Sequence, residues 1–493
     1  MKTKGMKHQI EALRRMNGRN YFGLFCEQGT GKTWIFLADL ERLYSAGKID
    51  AALIIAPKGV HVNWVKREIP AHLKAPVVAR AWKSGAGKRE MAFLEDVMKP
   101  RQDGEQPPLR ILAMNIDALN QRAGLDYARR FIMSHRAAII VDESSRIKSE
   151  KAGRTIALMS LRPHVEYARI GTGTPVTNAP TDVFSQMEFL ESGLLGTTSF
   201  RAFNAEYSEL MDVNHPMMKQ LIQKNPRMAW AQIVATDEVT GAKKYRNLDK
   251  LQKLLLPHTF RVLKKDCLDL PEKIYKDRFF DLAPRQLAAY KLMEKKFRIL
   301  LEDGSLEMVS KLNSITKLQQ ITSGFVIQKD GLPLYVSEDN PRLAALEEYL
   351  EDHAGKKVII WAHFREELKA IAALVKKMGR YGVEFHGGIK GGDKEGQRDW
   401  AVDEFQDGKA DTFIGQQGAG GIGITLTAGE NVIYYSNSYN LEHRLQSEDR
   451  AHRKGTKNNV VYTDLVADGT IDEEIAQALQ RKENLAALIL GDR

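Results

Sequence analysis

Two stretches of this chain repeat one rhythm, in which a short apolar run is followed by a helical pattern and then by another apolar run. From Tyr21 to about Leu190 the runs are YFGLFCE, AALIIAP, LRILAMN, AAIIVDE and YARIGTG. From about Asn340 they are KKVIIWAHF, GVEFHGG, ADTFIGQ, NVIYYSN and NNVVYTDLV. Strands this short and this continuously apolar are buried on both faces, and helices between them make the sheet parallel. At 493 residues the chain is too long for one core. The expectation is α/β, with two doubly wound parallel-sheet lobes in tandem.

The residues between the lobes break the rhythm. Polar and Met-rich patches such as DVNHPMMKQLIQKNPRM, and the turn-rich TDEVTGAKKYRN, read as an insertion or helical protrusion. APRQLAAYKLMEKKFRILLEDG and EMVSKLNSITKLQQITSG carry apolar residues at three-to-four spacing, which predicts amphipathic helices. The expected division is 1–193 for the first lobe, 194–275 for a helical insertion and linker, 276–339 for a second helical protrusion, and 340–493 for the second lobe.

Lys and Arg outnumber Asp and Glu by 73 to 63, a formal charge of +10 that favours a polyanionic partner. Cys26 and Cys267 are the two cysteines; they lack metal-ligand spacing and suggest a reducing compartment. The polar N-terminal stretch is no signal peptide, and no apolar run approaches the roughly 20 residues that span a bilayer. A cytoplasmic protein without a membrane partner is expected, compact almost to both ends.

Between the first apolar run and a helix lie Glu27, Gln28, Gly29, Thr30, Gly31, Lys32 and Thr33. A phosphate-binding (Walker A) loop belongs there: glycines let backbone amides converge on phosphates, Lys32 reaches the β and γ oxygens, and the Thr33 hydroxyl suits magnesium. The strict pattern asks for glycine where this chain has Cys26. AAIIVDESS delivers Asp142 and Glu143 to a strand's C-terminal end, the edge where ligands bind in open parallel sheets. Asp142 suits a hold on magnesium, and Glu143 suits the general base that orients and activates water.

With those motifs in this order, the chain resembles helicase superfamily two and, within it, the Swi/Snf group of helicase-like DNA translocases, over nearly its whole length. The resemblance implies two RecA-like lobes, ATP and Mg2+ as cofactors, and an adenine-sensing Gln9 in KHQ. LIIAPKGVHVNWVKREI, the GTGTPVTN run from Gly171, FHGGIKG and AGGIGITLT resemble further family elements. They imply nucleic-acid contacts at Lys58, Trp64, Asn115, Thr172, His386, Gly421 and Thr425. For Trp64, packing between helix and sheet is an equal alternative to stacking. QSEDRAHR resembles the final family signature, with Gln446, Arg450 and Arg453 in catalytic roles; arginines three apart share a helix face and can meet one target. Across a closed cleft that target is the γ-phosphate. The second motif ends Ser144-Ser145 where many relatives place a His last, and no Gln follows Gly455.

The expected function is therefore an ATP-dependent translocase on double-stranded DNA. The alternatives are a strand-separating helicase on DNA or RNA and, from another class, a non-hydrolysing ATP-gated clamp. A chain of this length leaves room for little beyond the motor itself, and that compactness suggests a bacterial or phage origin.

Overall fold

The computed structural model describes residues 1–83, 94–99, 107–237, 242–302, 308–388, 394–419 and 424–492, the side chains at 298–302, 308–312, 394–395 and 419 excepted. The chain divides into two compact units: Met1–Leu210 with Gln232–Asp269 and Glu483–Arg493, and Met211–Ala231 with Leu270–Lys482.

The first unit is built on seven strands, β1 (Tyr21–Leu24), β2 (Ala51–Ala56), β3 (Val77–Ala81), β4 (Leu109–Asn115), β5 (Ala137–Asp142), β6 (Tyr167–Gly171) and β7 (Thr259–Phe260). Their order is β3-β4-β2-β5-β6-β1-β7, and every pairing is parallel. Side chains alternate across the sheet. Ala51, Leu53 and Ile55 of β2 therefore enter one apolar core, and Ala52, Ile54 and Ala56 enter the core on the opposite face. Five of the seven strands are the apolar runs of the sequence.

The second unit carries β8 (Lys273–Phe280), a small antiparallel hairpin of β9 (Phe325–Ile327) and β10 (Pro333–Tyr335), and then β11 (Val358–Ala362), β12 (Gly382–Phe385), β13 (Thr412–Gln416), β14 (Asn431–Tyr434) and β15 (Val460–Ala467). Six of these form a parallel sheet in the order β12-β13-β11-β14-β15-β8. Again both faces are buried: Val358, Ile360 and Ala362 enter one core, Ile359 and Trp361 the other.

Helices at Phe200–Tyr207, Pro216–Lys224 and Leu248–Leu255 occupy the first irregular region, together with three isolated antiparallel bridges. The two predicted amphipathic helices are present as Pro284–Glu302 and Met308–Thr322. No described helix is long and apolar enough to cross a membrane.

One buried charge pair ties a helix to the first sheet. Arg169 of β6 and Asp39 of the helix Lys32–Ser45 are each 1% exposed and meet at 2.9 Å. Carbonyls of Arg19, Asn20 and Ala168 take three of the remaining guanidinium hydrogens. Removing one partner of such a pair strands the other charge, at a cost of about 3–5 kcal/mol. Asp39→Ala is expected to lower the stability of the first unit by that order in denaturant unfolding, and a change below about 1 kcal/mol would contradict the assignment.

Candidate functional site

In the first unit the predicted nucleotide residues gather at the C-terminal edge of the central strands. β1 ends at Leu24, and the loop that follows turns on Gly29 (φ +80°) and Gly31 (φ +85°) before the helix Lys32–Ser45 begins. Gly31 is the cap of that helix and offers no side chain, so the amides of the first turn have no side-chain acceptor. Uncapped amides at a helix start form a ready anion site. Thr30 folds back on the loop, its Oγ1 donating to Glu27 O at 2.8 Å.

Lys32 is 8% exposed, and its Nζ donates to the carbonyl of Cys26 at 3.0 Å. Gly171 and Gly173 bring the GTGTP loop against this one. A Cβ at Gly171 would lie 2.6 Å from Phe36 and 3.6 Å from Cδ of Lys32, and one at Gly173 would lie 2.7 Å from Cγ of Gln28. Both positions therefore require glycine for close approach. Two polar groups at this junction have no hydrogen-bond partner among the described residues: the whole Gln28 amide and Thr174 Oγ1, both buried. Buried polar groups are ordinarily paired, and pairs missing beside a phosphate loop are what a ligand would complete.

β5 carries the acids. Asp142 is 8% exposed and accepts from Trp64 Nε1 at 3.0 Å. Burial, and then the charge of Glu143, push its carboxyl above the usual carboxylate range, while Lys32 acts in the opposite direction. Two acids with so little compensating charge fit a divalent cation, with Thr33 on the adjoining helix as a further oxygen donor. Glu143 has a left-handed backbone (φ +53°), uncommon for a residue with a side chain and characteristic of functional turns. Its Oε2 accepts from Thr172 Oγ1 at 3.1 Å.

The remaining predicted residues are placed as follows. Gln9 is 2% exposed; its amide accepts from Met6 N and donates to the carbonyls of Thr30 and Gly31, so here it braces the phosphate loop. Beside it, a cavity of about 510 Å³ is lined by Met6, His8, Lys265 and Cys267 among others. Trp64 begins a wider, π-type turn, Trp64–Glu68, in the helical segment after β2. It is 1% exposed, so of the two roles left open for it the geometry matches packing. Thr172, fully buried on Glu143, likewise presents no surface in this conformation. Lys58 is exposed at the end of β2, and Asn115 caps the turn Ile116–Asn120 by accepting from two amides.

In the second unit His386 shares hydrogen bonds with Glu384 and the Gly388 amide. Gly421 lies outside the described residues. The helix Leu441–Ala451 bears Gln446, which donates to Glu442, and Arg450. Spacing placed Arg453 on the same helix; the helix ends two residues earlier, and Arg453 sits in the turn beyond it. Both arginines nevertheless converge, donating to the carbonyl of Ile424 at 3.5 and 3.0 Å, and Arg453 also reaches Thr425 Oγ1 at 3.2 Å.

A buried ionic network fixes this helix. Arg444 forms a two-point pair with Asp464 at 2.5 and 3.0 Å, bonds Glu448 at 2.7 Å and lies 3.6 Å over the Tyr434 ring. Glu448 also meets Lys273 and Tyr275 of β8. Against the upward push of burial, Lys273 and Arg444 hold the Glu448 carboxyl down at about 2.

A model of the SNF2-related domain matches residues 8–324, and a model of the helicase conserved C-terminal domain matches residues 341–455. The chain belongs to the SNF2-related family. This family is one of helicase superfamily two ATPases, so ATP use, and ordinarily magnesium use, follow from membership. The chain is 26% identical over 477 residues to the putative ATP-dependent helicase/translocase YwqA of Bacillus subtilis, covering 93% of this chain and 45% of that protein. It is 25% identical over 491 residues to the uncharacterized ATP-dependent helicase MG018 of Mycoplasma genitalium, covering 98% and 41%. It thus spans less than half the length of these relatives. A solved structure of the Sulfolobus solfataricus SWI2/SNF2 ATPase core in complex with dsDNA aligns at TM-score 0.40 and 22% identity, covering 100% of this chain and 94% of that one.

Two residues of this SNF2-related site carry no signal in the sequence pattern, and the contact made by a third was not readable from it. Arg261 donates to the carbonyls of Phe25 and Gly173, joining both loops, while pairing with Asp492 at 2.6 Å. Gln186 reaches the GTGTP loop from its own helix. Trp64 was visible as a residue but not as the partner of Asp142.

The Trp64 contact is directly testable. Trp64→Phe keeps an aromatic in the core but removes a hydrogen bond to a charged group, a kind worth about 1.5–3 kcal/mol. ATP turnover is expected to fall roughly 10- to 100-fold with nucleic-acid affinity unchanged. Weakened nucleic-acid binding at normal turnover would restore the stacking role.

Proposed function

We propose that this chain is a motor that hydrolyses ATP and tracks along double-stranded DNA. The observation that carries the hydrolytic part is the grouping of Lys32, Asp142 and Glu143 at one sheet edge, with Glu143 held by Thr172. Phosphoryl transfer needs positioning and charge stabilisation more than covalent chemistry, and these residues offer both.

The uncapped amides after Gly31 receive phosphate oxygens, and Lys32 exchanges its carbonyl partners for the β and γ oxygens. Thr33 and Asp142 would hold magnesium, which when bound neutralises charge on the phosphates. Glu143, oriented by the Thr172 hydroxyl, accepts a proton from the attacking water. Arg450 and Arg453 supply cationic charge to the γ-phosphate.

Movement along DNA is supported by the Swi/Snf-type motifs, by the basic excess and by the translocase named among the relatives. Grip through the phosphate backbone needs no base-reading module.

Glu143→Gln is expected to lower kcat by about 10²- to 10⁴-fold with nucleotide binding kept. Arg453→Ala should lower it by about 10³- to 10⁵-fold, also with nucleotide binding kept. Unchanged turnover in either variant contradicts its assigned role. For the motor itself, ATP-dependent displacement of a triplex-forming strand without unwinding of a forked duplex is the predicted pattern. Robust fork unwinding with no triplex displacement would replace tracking by strand separation.

A further inference from the structure

The turn that carries Glu143 is connected to the GTGTP loop a second time, through Ser144 and Gln186. Ser144 follows Glu143 immediately and is fully buried. Its Oγ donates to Gln186 Oε1 at 2.8 Å. Gln186, also fully buried, lies on the helix Phe184–Leu190, and its Nε2 donates to the carbonyls of Pro175 at 2.8 Å and Asp182 at 2.7 Å. Both amide hydrogens and the amide oxygen are therefore engaged.

This arrangement fixes the orientation of the amide. Turned over, its oxygen would face two carbonyl oxygens, and neither could donate to it. A carboxylate at 186 would meet the same two acceptors, and an apolar side chain of equal length would leave two carbonyls and a hydroxyl unpaired in a dry interior. Glutamine is thus the residue type that this position specifies.

The loop is held independently on its far side. Asp182 Oδ2 accepts from the amides of Thr177 and Asn178 and from Thr177 Oγ1, and Lys148 Nζ donates to Thr177 Oγ1 at 2.5 Å. Gln186 is the piece that joins this braced loop to the residue next to the general base.

We infer that Gln186 is a positioning residue for ATP hydrolysis: through Ser144 it locks the turn bearing Glu143 to the GTGTP loop, so that the carboxylate and the loop move as one body. Among the described residues neither side chain hydrogen-bonds to the phosphate loop, so the effect falls on turnover and leaves nucleotide affinity unchanged.

The inference rests on the hydrolytic reading of the site, and the test separates the two. ATP turnover is measured with and without saturating duplex DNA for the wild type, Ser144→Ala, Gln186→Met and the double variant, together with thermal melting. Ser144→Ala removes one hydrogen bond and is expected to lower kcat about tenfold while KM for ATP stays within about twofold and the melting temperature falls by no more than a few degrees, the cost of the amide oxygen left unpaired. Gln186→Met should lower kcat at least as far, and the double variant should be no worse than Gln186→Met alone, as for two members of one link.

Normal kcat in Ser144→Ala overturns the inference. So do losses that multiply in the double variant, or a parallel fall of kcat, ATP affinity and melting temperature in Ser144→Ala. If Gln186→Met does not fold, Ser144→Ala decides alone. Absence of turnover in the wild type would contradict the hydrolytic reading itself, whereas wild-type turnover with an unaltered Ser144→Ala contradicts only this link.

Discussion

Burying a carboxylate at the end of β5 sets the terms for the first unit. A charge taken out of water is costly unless hydrogen bonds or counter-charges meet it. Asp142 receives hydrogen bonds from the Trp64 indole and the Glu143 amide and the influence of Lys32, but the neighbouring Glu143 carboxylate adds a like charge. That deficit of positive charge explains much of what surrounds it. The wide turn at Trp64–Glu68 aims an indole N–H at the acid, and the strained backbone of Glu143 directs the second carboxylate to Thr172. A site tuned in this way is poor as a resting structure and well suited to a cation and a polyanion arriving together.

The second unit treats charge in the opposite manner. Arg444, Glu448, Asp464 and Lys273 satisfy one another beneath the helix Leu441–Ala451, leaving little electrostatic demand unmet. Such a network contributes rigidity more than net stability, because desolvation offsets much of the attraction. Its consequence is a fixed platform from which Arg450 and Arg453 reach the same carbonyl despite lying on either side of a helix end.

How much of this was legible follows from geometry. Central strands announce themselves because both faces are buried, and ten of the apolar runs became strands of the two parallel sheets. β3, β7 and β8 did not; each lies at a sheet edge, whereas the edge strand β12 was readable because Val383 and Phe385 enter the core. β8 reads KIYKDRFF with most side chains at least partly exposed, and β7 is two residues long. The phosphate loop and the paired acids were readable because their chemistry is contiguous in the chain. Trp64 meets Asp142 across 78 positions, Ser144 meets Gln186 across 42 and Arg261 meets Phe25 across 236, and no local pattern encodes such contacts. Gln9 shows the same limit: its motif was visible, but its engagement with the Thr30 and Gly31 carbonyls required the fold.

The central proposal is that duplex DNA drives the turnover of this SNF2-related ATPase. The most direct test is the steady-state rate of ATP hydrolysis at one fixed salt concentration, with double-stranded DNA, single-stranded DNA and RNA supplied in turn, since salt dominates affinities of this kind. Strong stimulation by the duplex, with little from single strands or RNA, is the predicted result. Stimulation by single-stranded DNA or RNA equal to or above that of the duplex would contradict it.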